Sequence, residues 1–243
     1  MYDRKLPLIF AHRGASADAP MNTLAAFELA VQQGADGIEL DVHRSIDGVA
    51  IVLHDFEVTH DRWQRAVSGM TLAQVKALDA GQWFGEQFTG LRVPTLDDVF
   101  DAVGQKLFVN VEIKSRTAET DGVEQTVADC IARHGMGERV LVSSFNPLAL
   151  HRFREIAPDV PVAVLDASAI PEALREMMRD FPHEAVHPHQ DQVTAELVGE
   201  ARCAGRRVNV WTVNDADRAR ELAALGVDAL ITDVPGVLRA ALA

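Results

Sequence analysis

Short aliphatic runs alternate with amphipathic stretches along almost the whole chain, and that rhythm leaves few folds open. Extended runs are predicted over 8–11, 37–44, 107–113, 139–143, 160–165, 185–187, 207–212 and 229–231. Helical patterns fill the intervals: 22–33, 95–103, 120–133, 147–156, 171–179, 194–204, 215–225 and from 235 onward. In the first, Leu24, Phe27, Ala30 and Val31 recur at helical spacing, and Asn22 reads as the cap. Thr95 caps the next, with Asp97 and Asp98 in the first turn, where the helix dipole favours acids. Short aliphatic strands separated by helices pair in parallel and are covered on both faces. Eight such units in 243 residues predict an α/β fold, a (β/α)₈ TIM barrel, with residues 1–243 as a single domain. An open doubly wound sheet is the alternative. No glycine-rich dinucleotide or phosphate loop follows the first strand to support it.

The rhythm breaks once. Asp47-Gly48 reads as a hairpin turn, and 49–53 returns as a second extended run that delivers His54. From Asp55 to Arg92 there are turn residues, a short amphipathic helix over 71–78, and then Gly81-Gln82-Trp83-Phe84-Gly85. Residues 55–92 are therefore predicted to form a small inserted subdomain after strand two, a lid or rim on the barrel.

Within 37–44, Ile38, Leu40 and Val42 fall on one face of the strand, and Glu39 and Asp41 on the other. Adjacent carboxylates repel and need a cation or heavy hydration. Polar groups at the C-terminal strand ends line the active site of a barrel. Those ends carry His12 and Arg13, then Glu39 and Asp41 with His54, then Asn110, Glu112 and Lys114 on one strand face. Further round stand Ser143-Ser144-Phe145, Trp211-Thr212-Val213-Asn214 and Thr232-Asp233. Glu39, Asp41 and Glu112 are hard oxygen ligands suited to Mg²⁺ or Ca²⁺, with too little His or Cys beside them for zinc. His12 and His54 suit acid-base work near neutral pH, and Arg13 and Lys114 suit a phosphate.

Charge and cysteine content narrow the classes further. A net charge of -13 repels nucleic-acid backbones, so no nucleic-acid partner is expected. Cys130 and Cys203 lie far apart without metal-ligand spacing, and both are expected as buried thiols. With no signal-peptide core and no apolar run long enough for a bilayer, a cytoplasmic protein without stable membrane insertion is expected.

Taken together, His12-Arg13-Gly14, Ala19-Pro20-Met21-Asn22-Thr23, Glu39-Leu40-Asp41, Leu53-His54-Asp55, Glu112-Ile113-Lys114, Ser143-Ser144-Phe145, Trp211-Thr212-Val213-Asn214 and Ile231-Thr232-Asp233 resemble the glycerophosphodiester phosphodiesterase family. The segment 78–84 is similar to that family's inserted subdomain. The resemblance implies a (β/α)₈ barrel and one divalent cation, Mg²⁺ or Ca²⁺, on Glu39, Asp41 and Glu112. It also implies His12 and His54 as the acid-base pair. The implied reaction is hydrolysis of glycerophosphodiesters, such as glycerophosphocholine and glycerophosphoethanolamine, to glycerol 3-phosphate and an alcohol. In that reading Arg13 and Lys114 share the phosphoryl charge, and Phe145 and Trp211 wall the pocket. One position departs from the family pattern: Met21 stands where the family usually has glutamate. Two alternatives stand beside this reading, a lysophospholipase D-like phosphodiesterase and a phosphodiester-binding barrel impaired by Met21.

Overall fold

A computed structural model describes residues 7–60, 63–166, 172, 176–178 and 181–243. The helix expected over 171–179 falls mostly outside the described residues. The strands in chain order are β1 (Leu8–His12), β2 (Gly37–Arg44), β3 (Ala50–Val52), β4 (Glu57–His60), β5 (Trp63–Ala66), β6 (Phe108–Ile113), β7 (Val140–Ser144), β8 (Val162–Asp166), β9 (Ala185–Pro188), β10 (Arg207–Val210) and β11 (Ala229–Thr232). Eight of them, β1, β2 and β6 to β11, pair in parallel around a ring that closes where β1 meets β2. That pairing sets Ala11 against Ile38 and His12 against Glu39, and it excludes the open sheet.

The alternation in β2 sorts its side chains between two environments. Ile38, Leu40 and Val42 join an apolar layer with Phe27, Leu96, Val99, Val127 and Leu150, between the strands and the surrounding helices. Burying each such side chain contributes roughly 1.5–3 kcal/mol. Leu8, Phe10, Ala229 and Ile231 pack together inside the barrel, with Phe108 and Trp211 against them. Gly37 permits this packing: a Cβ there would come within 2.5 Å of the Phe10 ring.

Local signals place most helix ends. Thr95 and Asp98 form a capping box for the helix Leu96–Val103, and Pro147 opens the helix Pro147–Ile156. One cap differs from expectation. Thr23, not Asn22, caps the helix Leu24–Gln32, its hydroxyl accepting from the Ala26 N–H. Asn22 adopts φ 56° and turns its side chain into the barrel. Cys130 is buried as expected, whereas Cys203 is exposed. Cys203 ends the helix Ala195–Cys203, whose inward positions are Val198 and Ala201.

The Asp47-Gly48 turn joins β2 to the antiparallel β3, with Gly48 at φ 86°. Between β3 and the helix Leu96–Val103 lie the β4–β5 hairpin, the helix Leu72–Lys76 with its own capping box, and two short 3₁₀ turns. Ile51, Val67, Met70, Val75 and Val93 give this stretch an apolar cluster of its own. No helix among the described residues is long and apolar enough to cross a membrane.

A buried histidine lies on β9 beside β10. His187 on β9 is fully buried, and Asn209 on β10 donates from Nδ2 to its Nε2 at 2.8 Å. Burial holds its pKa down at about 3. Between that value and the unfolded value of about 6.5, the unfolded chain binds the extra proton, so stability rises with pH. The His187 contribution is complete above about pH 6.5 and is lost as pH falls through the window. Between pH 7 and pH 5 the protein is expected to lose about 2 kcal/mol from this residue alone. Urea melts across that range check it. His187→Gln should flatten the profile.

Candidate active site

β2 and β6 run side by side, with Glu39 opposite Asn110 and Asp41 opposite Glu112. All four are buried: Glu39 is 4% exposed, Asp41 0%, Asn110 2% and Glu112 8%. Glu39, Asp41 and Glu112 each offer an oxygen, and these lie within 4.8 Å of one another. Two cations stand among them. Lys114 Nζ is 3.2 Å from Asp41 and 2.9 Å from Glu112, and Arg13 Nε is 3.2 Å from Asp41. Asn22 donates at 2.8 Å to Asp41 Oδ2, the oxygen that Arg13 also faces, while Lys114 faces Oδ1.

Three carboxylates and two cations do not balance, and the charge divides unevenly. Burial would raise Asp41, but Lys114, Arg13 and the Asn22 amide outweigh it and hold its carboxyl below the usual range. Burial and then the Asp41 charge push Glu112 up to about 7. Burial, with Asp41 and Glu112 adding to it, raises Glu39 well above its ordinary value. Burial opposes the Lys114 charge, yet Glu112 and Asp41 raise its pKa, so the ammonium is kept. A set of buried oxygen donors left short of positive charge fits a hard divalent cation.

The loop from β1 builds one wall. Arg13 has φ 57°, a left-handed conformation that costs a non-glycine residue about 1–3 kcal/mol. It turns the Arg13 N–H to Glu39 Oε2 at 3.1 Å and its guanidinium toward Asp41. Arg13 Nη1 also lies 3.4 Å from Met21 Sδ. The Asn22 N–H donates to the Arg13 carbonyl, so the two left-handed residues brace each other across the loop.

The two histidines are each tied to a carboxylate. His12 Nδ1 is 2.7 Å from Asp233 Oδ1, and its Nε2 lies 4.0 Å from Glu39. Asp233 also accepts from Ser16 and Asn214. Burial opposes the Asp233 charge, but the His12, Asn214 and Ser16 hydrogen bonds hold its pKa at about 2. An ionised carboxylate only accepts, so His12 Nδ1 carries the hydrogen and Nε2 is left as the acceptor. His54 Nδ1 is 2.8 Å from Asp55, and burial lowers the His54 pKa.

A cavity of about 230 Å³ gathers these groups. His12, Arg13, Glu39, His54, Glu112, Lys114, Phe145 and Trp211 line it, and the Phe145 and Trp211 rings meet edge to face at 5.6 Å. Asp41 lies behind it, joined through Arg13 and Lys114. Asn110 also lines the cavity, and neither atom of its buried amide has a hydrogen-bond partner among the described residues.

Sequence reasoning placed Asn214 and Asp233 at strand ends without giving them a role, and it assigned none to Asn22, Ser16 or the Asp55 carboxylate. The Asp residues follow His54 or a strand end directly, which is the local signal for them. Asn22 carries only a capping signal. His43 was also absent; it is buried on β2, its Nε2 3.3 Å from the His54 carbonyl, and burial lowers its pKa to about 4.

The fold and this site define a class: a parallel (β/α)₈ barrel whose strand ends gather carboxylates, cations and two carboxylate-tied histidines. Within it, the sequence profile of the glycerophosphoryl diester phosphodiesterase family matches residues 12–237, and the chain belongs to that family. A glycerophosphodiester phosphodiesterase of Caldanaerobacter subterraneus is 38% identical over 233 residues, 95% of this chain and 96% of that protein. One from Bacillus altitudinis is 33% identical, covering 93% and 94%. The crystal structure of an Oleispira antarctica phosphodiesterase in complex with the product sn-glycerol-3-phosphate superposes with a TM-score of 0.86. It is 32% identical, over 97% of this chain and 96% of that one.

Proposed function

We propose that this chain hydrolyses glycerophosphodiesters, glycerophosphocholine and glycerophosphoethanolamine among them, to glycerol 3-phosphate and an alcohol. The observation that carries the reading is the cavity in which Glu39, Glu112, two cations and two histidines meet, with Asp41 directly behind them and within 4.8 Å of both carboxylates. Family membership and the relatives' named activity support it.

Glu39, Asp41 and Glu112 would hold one divalent cation, Mg²⁺ or Ca²⁺. When bound, it withdraws charge from the phosphoryl oxygens and offsets the acidic field of the chain. Arg13 and Lys114 orient the phosphate and share its charge. His12 takes a proton at Nε2 from the nucleophile, either the neighbouring glycerol hydroxyl or a water. Asp233 keeps the ring in the required tautomer. His54 delivers a proton to the leaving alcohol oxygen. Phe145 and Trp211 pack on the carbon atoms of the substrate. The Asn110 amide meets the glycerol hydroxyls, which supply the partners it lacks within the protein. Residues 55–92 form the inserted subdomain of this one barrel domain, bordering the mouth at His54.

A panel of glycerophosphodiesters assayed for glycerol 3-phosphate release, with Mg²⁺, Ca²⁺ or Mn²⁺ and with excess chelator, tests the reading. Release that requires an added cation is expected. Undiminished release in chelator removes the metal from the scheme, and no release with any diester and cation removes the activity.

A further inference from the structure

A second cavity, of about 660 Å³, lies beside the catalytic one and is nearly three times its volume. His54 is the residue that lines both. Arg13, which lines the smaller cavity, touches Met21, which lines the larger. Met21, Leu53, Val58, Leu78, Trp83 and Val93 are among the residues that line the larger cavity.

Its polar groups are mostly engaged within the protein. Asp55 Oδ1 is held by His54 Nδ1, and Asp79 accepts from the Gly81, Gln82 and Gly90 N–H groups. The Trp83 indole N–H donates to the Ala80 carbonyl. Met21 and Trp83 are 36% and 61% exposed, two of the six exposed large hydrophobic residues among those described. Apolar side chains left bare beside a catalytic histidine mark a surface that a ligand covers.

We propose that this cavity is the leaving-group subsite and that it takes an apolar alcohol, making glycerophosphodiesters of alkyl alcohols better substrates than those of cationic amines. The inference rests on the phosphodiesterase function proposed above. With phosphate between Arg13 and Lys114, the glycerol arm fills the small cavity and the other arm passes His54 into the large one. Oxygen from the nucleophile bonds to phosphorus, the bond from phosphorus to the alkyl oxygen breaks, and that oxygen takes the His54 proton. After net addition of water, glycerol 3-phosphate and the alkyl alcohol are released. Met21 has a further part here. Its thioether covers the guanidinium edge, so the arm leaves along an apolar wall.

The test compares glycerophospho-1-octanol with glycerophosphocholine, both below any micelle concentration, for glycerol 3-phosphate release in the presence of Mg²⁺. The expected result is a kcat/KM at least tenfold higher for the octyl ester, arising mainly in KM. Val58→Asp and Met21→Glu, each checked for an unchanged thermal melt, should each lower the octyl-to-choline ratio at least fivefold. Equal kcat/KM for the two esters, or a ratio that neither variant moves, overturns the subsite while leaving the diesterase function intact. Preferential turnover of a short-chain lysophosphatidylcholine without any gain for the octyl ester would put an acylglycerol arm in the cavity and also overturns it. Failure to release glycerol 3-phosphate from either ester would instead refute the underlying function.

Discussion

His12→Ala is expected to lower kcat on glycerophosphocholine by about 10²- to 10⁴-fold, the range that loss of a positioned proton-transfer group produces. The geometry behind this is specific. His12 is tied at Nδ1 to a carboxylate that three hydrogen bonds keep ionised, and its Nε2 points toward Glu39. Asp233→Asn tests that arrangement. An asparagine there can present its N–H to the ring, turn the imidazole to the other tautomer and put a hydrogen where the base must accept one. A loss approaching that of His12→Ala is expected, and the double variant should be no slower than His12→Ala alone. A separate readout distinguishes the two histidines. A diester with a p-nitrophenyl leaving group needs no proton on departure, so His54→Ala should slow it far less than glycerophosphocholine. His12→Ala should slow both. Equal losses in all four measurements would reverse or dissolve the assignment of base and acid.

Asp41→Ala is expected to abolish measurable turnover and to cost about 3–5 kcal/mol of stability, the consequence of stranding buried charge. Asp41 is fully buried and meets Arg13, Lys114 and Asn22 at once. Its removal leaves a guanidinium that is 20% exposed and an ammonium that is 10% exposed without their shared counter-ion. Glu112→Gln provides the contrast. Glu112 is pushed up to about 7, so it carries less of the compensation in the unliganded protein. It should lose activity with much less loss of stability. Urea melts of the metal-free variants, set beside turnover with added cation, separate the two effects. Comparable melts for the two variants would mean that Asp41 is not the centre of the charge cluster.

Local periodicity made most of the barrel legible. Strand and helix alternate with little interruption, and each strand's aliphatic residues declare that both of its faces are covered. Parity in β2 put Glu39 and Asp41 on one strand face, and parity in β6 put Asn110 and Glu112 on another. What the sequence concealed lies in the loops and in distance along the chain. Asn22 occupies a position where asparagine is a good cap. Only the left-handed turn, with Arg13 also at positive φ, swings it to Asp41. Asp233 lies 221 residues from His12, and nothing periodic links them; the link exists because β1 and β11 are neighbours in the ring. Cys203 followed the apolar helical pattern but ends its helix on the solvent side, where one residue of rotation decides exposure. The large cavity was likewise hidden, since its walls come from the β1 loop, β3 and the segment after it, each unremarkable alone.

The His12–Asp233 contact joins the first barrel strand to the residue just after the last. Turnover is therefore a reporter of ring closure. A chain emerging from the ribosome could complete the β2–β6 carboxylate cluster well before it could fix the tautomer of its base. A circular permutant opened at the exposed end of any intervening helix keeps β1 and β11 adjacent and should stay active. A form cut between them and left unassembled separates His12 from Asp233 and should lose turnover.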